Sequence, residues 1–286
     1  MSTSKNGGSL ARSERTLQIC CRIVTYALIL ISIYPVLFVL LTSFKSDKEF
    51  YNNVWGISMN PQFSNYLTAW NSGHIGEGLA TSLLVTVVSL AAILLIGTLG
   101  GYALARLKVP FEGVILLLIV ITFMLPSEAV IMPLYLLLSK AGIRNGYAML
   151  IIPYIGWNVP MTITIMRNFF LSMPKELIEA SRMDGCSEMQ SLFKISMPLM
   201  KPAMAVSAIF AFVGIWGDLL WAQIALSTTS AMRTLTMCAL SFHGQYGVSW
   251  GAMSAAICIT ILPLIVFFLF VQKYFVQGIT GGAVKG

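Results

Sequence analysis

Long apolar runs alternate with polar segments along the whole chain. Six of the runs reach about 20 residues, the length that an α-helix needs to cross the hydrocarbon core of a bilayer. The runs lie at 23–44, 83–104, 114–138, 146–166, 203–226 and 250–271. The pattern therefore predicts an all-α, polytopic membrane protein with six transmembrane helices.

The composition indicates that lipid is the main solvent of the chain. Of its 286 residues, 57% are hydrophobic and only 10% are charged, whereas charged residues make up about a quarter of a soluble domain. An ordinary soluble protein is excluded, because the chain lacks the residues for a charged shell around a core. The cations behind the net charge of +7 are scattered between the apolar runs. They indicate membrane topology and no nucleic-acid partner.

The lysine and arginine residues predict the orientation of the spans. With the N-terminus in the cytoplasm, 13 of the 18 cations lie on the inner side, as the positive-inside rule expects. Both termini are then cytoplasmic. The predicted organisation is an N-terminal segment at 1–22, a six-helix membrane domain at 23–271 and a C-terminal tail at 272–286. The five cysteines and two histidines show no spacing of a metal site or a catalytic pair.

Three glycines in the second predicted span, Gly97, Gly100 and Gly101, form a patch of small residues that includes a GxxxG spacing. Small residues let two helix backbones approach closely. We therefore predict tight helix packing at this patch.

The segment at 168–202, here called the central loop, is predicted to lie on the cytoplasmic side and to contain two short helices. Gly185 can adopt the left-handed conformation that ends the first helix. Ser187 and Gln190 form a capping-box pattern for the second helix, and Pro198 limits its far end. The pattern alone favours an amphipathic loop that lies on the lipid headgroups.

The central loop also carries a spaced motif. It comprises Glu179, Ala180 and Ser181, then Gly185 after three residues, then Ile195, Ser196, Met197 and Pro198 after nine more. In this spacing the chain resembles the inner-membrane permeases of binding-protein-dependent ABC importers, whose loop reads Glu-Ala-Ala, Gly and Ile-x-Leu-Pro. Ser181 in place of alanine and Met197 in place of leucine are modest departures.

Further motifs are similar to the carbohydrate branch of this family, and to its maltose-type second permease in particular. They are Tyr102-Ala-Leu-Ala-Arg106, Pro126, Pro133-Leu-Tyr135, Arg167-Asn-Phe-Phe170 and the tail from Gly278 to Gly286. The resemblance covers nearly the whole chain. It implies import of a sugar or oligosaccharide across a bacterial or archaeal cytoplasmic (inner) membrane. One departure is Trp216-Gly217-Asp218, where relatives usually carry asparagine in the middle position.

The resemblance implies that the chain is a non-catalytic subunit of a larger assembly. The chain has no phosphate-binding loop of the GxxxxGK[ST] type. ATP and Mg would therefore be bound by a dimer of separate ATPase subunits, with no cofactor on this chain. The other implied partners are a second permease subunit, which forms a heterodimer with this one, and an extracytoplasmic sugar-binding protein. The outer loop at 227–249, with His243, Gln245 and Tyr246, would meet that binding protein.

In the same resemblance, the central loop couples the ATPase to the membrane spans. The residues that the motif assigns to coupling are Glu179, Ala180, Ser181, Asp184, Gly185, Ile195 and Pro198. Glu179 would bind a cation on the ATPase, Gly185 would provide the bend, and Ile195 with Pro198 would lead into the fifth span. For Asp184, stabilisation of the turn beside Gly185 and contact with the partner are equal alternatives.

Polar and aromatic residues within the spans are candidates for a solute path. An acidic side chain inside a membrane is costly, which makes it a functional hypothesis by default. Aromatic rings can stack on sugar faces, and amide or carboxylate groups can accept hydroxyl protons. The candidates are Glu128, Trp157, Asn158, Trp216, Asp218 and Trp221. Ordinary helix packing with interfacial tryptophans explains this set equally well.

Two other functions remain as alternatives. An ion-coupled secondary transporter subunit would have inverted repeats and several intramembrane carboxylates, whereas the sequence shows no evident repeat and two such carboxylates. A scaffold or sensor subunit that transports nothing would need no polar residues aligned inside the membrane. Co-purification of an ATPase would separate the three functions.

Overall fold

The structure, a computed structural model, describes residues 6–227, 232–244 and 247–283. Its helices up to the central loop are α1 (Asn6–Thr42), α2 (Asp47–Asn52), α3 (Ser64–Ser72), α4 (Ile75–Arg106), α5 (Glu112–Met124), α6 (Ser127–Lys140) and α7 (Gly146–Ser172). The later helices are α8 (Lys175–Met183), α9 (Glu188–Gln190), a π-helical segment (Ser191–Ser196), α10 (Met197–Leu199), α11 (Lys201–Gly217), α12 (Leu220–Ala225), α13 (Leu235–Leu240) and α14 (Trp250–Ala283). Two short strands, β1 (His243–Gly244) and β2 (Gly247–Val248), pair antiparallel. The predicted all-α class is confirmed.

Four of these helices, α1, α4, α7 and α14, are long and apolar enough to cross a membrane. The third predicted span is not one helix, because α5 and α6 meet at an angle of 106°. Proline disfavours a helical conformation in the residue before it, and Leu125, which precedes Pro126, is extended. The fifth predicted span is also interrupted, at Asp218 and Leu219 between α11 and α12. The described helices give up to six spans if two bent pairs each count as one, namely α5 with α6 and the run Glu188–Leu199 with α11, which meet at 77°.

The most extensive helix packing in the described chain is between α4 and α7. Glycines of α4 allow it: a Cβ at Gly97 would lie 2.2 Å from Thr162 Cγ2, and one at Gly101 would lie 2.7 Å from Met166 Cβ. The tight packing that we predicted at the glycine patch is therefore confirmed. Around this pair, α11 packs on α4 and α7, and α14 packs on α11.

The polar segment between α1 and α4 is held by side chains that bond to backbone carbonyls. Lys45 is buried, and its Nζ donates to the carbonyls of Asn53 (3.0 Å) and Val54 (2.7 Å). Asn65 Nδ2 donates to the carbonyls of Ser43 (2.8 Å) and Lys45 (2.9 Å). These bonds fix α2 and α3 against the end of α1.

At the end of the bundle that carries the central loop, α4, α7 and the loop share one apolar cluster. It includes Tyr102, Met166, Phe170, Met173, Ile178, Leu192, Met200 and Ala203. An ion pair joins α7 to α5 nearby, with 2.7 Å between Arg167 Nη2 and Glu112 Oε1. The central loop is therefore packed onto the helices and is not a detached strap.

The last helix is longer than the predicted sixth span. The apolar run ends near residue 271, but α14 continues to Ala283. Most of the segment predicted as a tail is thus helical, and residues 284–286 lie outside the described residues.

Candidate functional site

A cavity of about 220 Å³ lies where the two interrupted spans meet α7. Its walls are formed by Ser127, Glu128, Ile131, Tyr154, Trp157, Asn158, Gly214, Asp218, Leu220 and Trp221. Five of the six path residues predicted from the sequence line it. In the described ranges, no group of three or more His, Cys, Asp or Glu side chains that could bind a metal ion is found.

The helix breaks bring these residues together. Because α6 starts directly after Pro126, Glu128 lies in its first turn, and its side chain is exposed. In α7, Tyr154, Trp157 and Asn158 are spaced i, i+3 and i+4, which places them on one face of the helix. The end of α11 at Gly217 releases Asp218 from regular helix, so that its carboxylate reaches both α7 and α12.

Neutral donors hold the carboxylate of Asp218. The Tyr154 hydroxyl donates to Oδ2 at 2.8 Å, and the Ala222 amide donates to the same oxygen at 3.0 Å. The Trp221 amide lies 3.4 Å from Oδ1. The side chain therefore accepts from amides in the first turn of α12, which have no partner within that helix.

Two tryptophans form the aromatic part of the cavity wall. The rings of Trp157 and Trp221 meet edge to face with their centroids 5.5 Å apart. Trp221 is buried and fixed, since its Nε1 donates to the carbonyl of Met149 at 3.1 Å. Asn158 donates through Nδ2 to the carbonyl of Tyr154 at 2.8 Å. Its amide oxygen lies 3.7 Å from where a Cβ on Gly214 would be, so this acceptor faces α11.

Trp216, the sixth predicted path residue, does not line the cavity. Its ring stacks on Phe212 with 5.4 Å between centroids, and its Nε1 donates to the carbonyl of Thr260 at 3.0 Å. It therefore joins α11 to α14. The sequence analysis missed the other five lining residues, which are Ser127, Ile131, Tyr154, Gly214 and Leu220. Only Tyr154 carried a signal, its helical spacing from Trp157 and Asn158.

The central loop contains the two helices expected from its sequence. Gly185, with φ of +81°, ends the first. At the second, the Ser187 amide donates to Gln190 Oε1 at 2.9 Å and the Gln190 amide lies 3.3 Å from Ser187 Oγ, so the capping box is present. The second helix continues through the π-helical segment and ends at Leu199, one residue after Pro198, so Pro198 lies at its far end as expected. A proline is tolerated there because it lies in the first turn of α10, where an amide donor is not needed.

The motif of the central loop is divided between its two faces. Ser181 is only 2% exposed. Its hydroxyl lies 2.8 Å from that of Ser191 and donates to the carbonyl of Ile178 at 2.7 Å. Ile195 and Met197 are half-buried and Ser196 is buried. The other residues assigned to coupling are exposed, namely Glu179, Ala180, Asp184, Gly185 and Pro198.

Large apolar side chains lie on the outer face of the central loop. Leu177, Met183, Met189 and Phe193 are all exposed, Met183 by as much as 88%. Several exposed apolar side chains on one short segment are typical of a surface that binds a protein or a membrane. Met183 follows Glu179 by four residues in α8 and lies on the same helix face, which is therefore apolar as well as charged.

Comparison with known proteins adds family and fold. Residues 93–281 match the family model described as binding-protein-dependent transport system inner membrane component. The chain is 30% identical to the sulfoquinovosyl glycerol transport system permease protein SmoH of Agrobacterium fabrum, over 93% of each chain. It is 31% identical to the diacetylchitobiose uptake system permease protein NgcG of Streptomyces coelicolor, over 89% of this chain and 85% of the relative.

The fold is similar to a chain in the crystal structure of a bacterial ABC transporter involved in the import of the acidic polysaccharide alginate. The TM-score is 0.66 at 22% identity, and the match covers 92% of this chain and 98% of the other. Both interrupted spans lie within the matched family segment.

Proposed function

This chain belongs to the family of binding-protein-dependent transport system inner membrane components, and we propose that the cargo of its importer is a carbohydrate. Two kinds of observation support this cargo. Relatives are permeases for sulfoquinovosyl glycerol and diacetylchitobiose, and the cavity combines tryptophan rings with polar acceptors. The similarity supports an ATP-driven importer and not the ion-coupled alternative.

The cavity is suited to a hydroxylated ring. Trp157 offers an aromatic face for stacking, while Glu128 and Asn158 provide acceptors for hydroxyl protons. The volume of about 220 Å³ is below the ~300–1,000 Å³ of typical ligand pockets. We infer that a second permease subunit completes the enclosure of the cargo.

The central loop is the proposed docking element for a separate ATPase that binds ATP and Mg. Its exposed apolar side chains, such as Leu177 and Met189, would fill a cleft on the ATPase, and Glu179 would pair with a cation beside it. Short rigid helices suit this role because they transmit a displacement that a flexible loop would absorb. Asp184 is exposed, which is compatible both with stabilising the turn beside Gly185 and with contacting the ATPase.

An extracytoplasmic sugar-binding protein is the proposed partner at the opposite end of the bundle. The hairpin of β1 and β2 lies in this region with His243 exposed. Gln245 and Tyr246, which the sequence analysis assigned to the same contact, lie outside the described residues.

The proposed function can be tested by ATP hydrolysis. The chain would be purified with its neighbouring subunits, reconstituted in lipid, and supplied with the binding protein and a panel of neutral sugars. We expect one sugar to stimulate hydrolysis in the native complex. The stimulation should be lost in Gly185→Pro, because proline cannot adopt the φ of +81° found there.

The matched control is Gly142→Pro, which creates the same conflict in the connection between α6 and α7, where Gly142 also has a φ of +81°. If both variants lose stimulation equally, the loss reports damage to the fold and not to coupling. Purification without an ATPase, or hydrolysis that no sugar changes, would reject the proposed function.

A further inference from the structure

The end of α4 holds the second half of the central loop. Tyr102 is 4% exposed, and its hydroxyl donates to Glu188 Oε2 at 2.9 Å. Its ring packs edge to face on Phe170, with 5.4 Å between centroids. A hydrogen bond to a charged acceptor is among the stronger polar contacts in proteins. The first residue of α9 is therefore joined directly to α4.

One turn further along α4, Arg106 holds the start of the central loop. Its Nη2 donates to the carbonyls of Phe170 and Met173, the latter at 2.6 Å. These carbonyls belong to the end of α7, whose last carbonyls have no partner within the helix. Because Tyr102 and Arg106 are four residues apart, they lie on the same face of α4. This face therefore contacts both halves of the loop.

The two halves of the central loop are also bonded to each other. The hydroxyls of Ser181 in α8 and Ser191 in the π-helical segment lie 2.8 Å apart and are buried. Ile178 and Leu192 pack in the same cluster as Tyr102. Close-packed interiors of this kind transmit displacement and do not deform freely. A displacement of the exposed face of the central loop is therefore transmitted to the end of α4.

The opposite end of α4 contacts α13, in the loop that contains the β1–β2 hairpin. Ser82 Oγ accepts a hydrogen bond from the Leu235 amide at 2.8 Å. This amide lies in the first turn of α13, where amides have no acceptor within the helix. Gly78 lets this helix approach closely, since a Cβ there would lie 2.5 Å from Cys238 Sγ. The same helix therefore bonds to the central loop at one end and to α13 at the other.

The helix between these contacts is continuous. Among α1, α4, α7 and α14, only α4 contains no proline, and prolines are the main cause of helix kinks. Its 32 residues extend over about 48 Å at 1.5 Å per residue. This length exceeds the roughly 30 Å hydrocarbon core of a bilayer.

We propose that α4 is the strut that carries conformational change between the central loop and α13, with Tyr102 and Arg106 as positioning residues at one end and Ser82 at the other. The binding state of the ATPase and the conformation of the loop proposed to contact the binding protein are thereby linked through one helix. The inference rests on the proposed assembly with an ATPase.

The experiment uses the complete complex in lipid nanodiscs, with Mg and a non-hydrolysable ATP analogue as the probe. Hydrogen exchange of residues 232–244, measured by mass spectrometry with and without the probe, reports on α13. We expect the probe to change this exchange in the native complex. In Tyr102→Phe the change should shrink about tenfold, because the bond to Glu188 is lost while the ring is kept.

Two comparisons separate transmission from damage to the fold. Glu188→Gln should keep most of the response, since an amide oxygen can accept the same bond. Glu188→Ala should lose as much of the response as Tyr102→Phe does. The double variant should lose no more than either single variant, because both remove the same bond. Ser82→Ala should lose the response in α13 but keep the exchange change in the central loop. Tyr26→Phe, the same substitution at an exposed position of α1, is the matched control and should respond like the native chain.

A full response in Tyr102→Phe, or no response in the native complex although the ATPase is bound, would overturn the inference and leave the proposed function intact. Failure of the ATPase to co-purify would instead reject the proposed assembly, and this inference with it.

Discussion

Asp218 illustrates at the scale of single residues how a functional signal and a structural role can coincide. An acidic residue in an apolar span is costly, and its carboxylate does line the cavity. The same carboxylate accepts hydrogen bonds from an amide of α12 and from Tyr154. Its position is thus explained by helix geometry, and the need for its negative charge is a separate question.

Replacement of Asp218 separates its hydrogen bonds from its charge. Asp218→Ala should lower the free energy of unfolding by about 1–3 kcal/mol, because the buried Tyr154 hydroxyl and the first amides of α12 lose their acceptor. Asp218→Asn should keep most of that stability, since its single amide oxygen can accept both the Tyr154 and the Ala222 bonds that Oδ2 accepts now. Thermal unfolding of the purified complex measures both. Sugar-stimulated ATP hydrolysis that is lost in the asparagine variant at native stability would show that the charge itself is required.

Gly97 gives a second prediction at this scale. Gly97→Ala should weaken the packing of α4 on α7, because its Cβ would lie 2.2 Å from Thr162 Cγ2, and over-packing typically costs about 1–3 kcal/mol. Gly113→Ala on α5, where a Cβ meets nothing within 4 Å, is the control. Equal melting temperatures of the two variants in detergent would contradict the close contact.

Single residues were predictable from the sequence where the signal is local. Trp157, Asn158 and Trp221 were candidates because they are aromatic or amide side chains within spans, and all three line the cavity. Trp216 carried the same signal but lies outside it. Trp216 bonds to Thr260, 44 residues away in the chain. No local pattern contains such a distant partner.

At the scale of elements, the central loop was predicted well because its helix ends are coded by neighbouring residues. The capping box at Ser187 and the left-handed Gly185 both depend on residues within one turn. The π-helical segment was not predicted, because it depends on how the loop packs against α4 and α7. The pair of Ser181 and Ser191 was likewise invisible in the sequence.

The Ser181–Ser191 pair lets us predict the effect of replacing Ser181 by alanine, the residue that the family motif has at this position. Ser181→Ala leaves the buried hydroxyl of Ser191 without its partner, which costs about 1–3 kcal/mol. The double variant with Ser191→Ala should recover most of the loss, because removal of both partners is nearly neutral. Hydrogen exchange of α8 is the measurement. A double variant that exchanges faster than Ser181→Ala would show that the two hydroxyls do not act as a pair.

At the scale of the whole molecule, hydrophobic runs predicted the number of spans but not their continuity. A span that contains a helix break is as apolar as a continuous helix. In the sequence, Pro126 is therefore the main sign of the 106° bend between α5 and α6. The breaks are nevertheless what create the cavity, because they turn Glu128 and Asp218 toward α7. The orientation of the molecule, by contrast, is predicted from charge alone.

The orientation can be tested with single cysteines at two exposed lysines. Lys48 lies in the segment after α1, and Lys194 lies in the central loop. In spheroplasts, we expect a membrane-impermeant maleimide to label Lys48→Cys. It should label Lys194→Cys only after the membrane is permeabilised, because most cations stay on the cytoplasmic side. The parent chain, with its five native cysteines, gives the background labelling. The reverse pattern would put the central loop outside, where no ATP is available, and would reject both the orientation and the proposed contact with an ATPase.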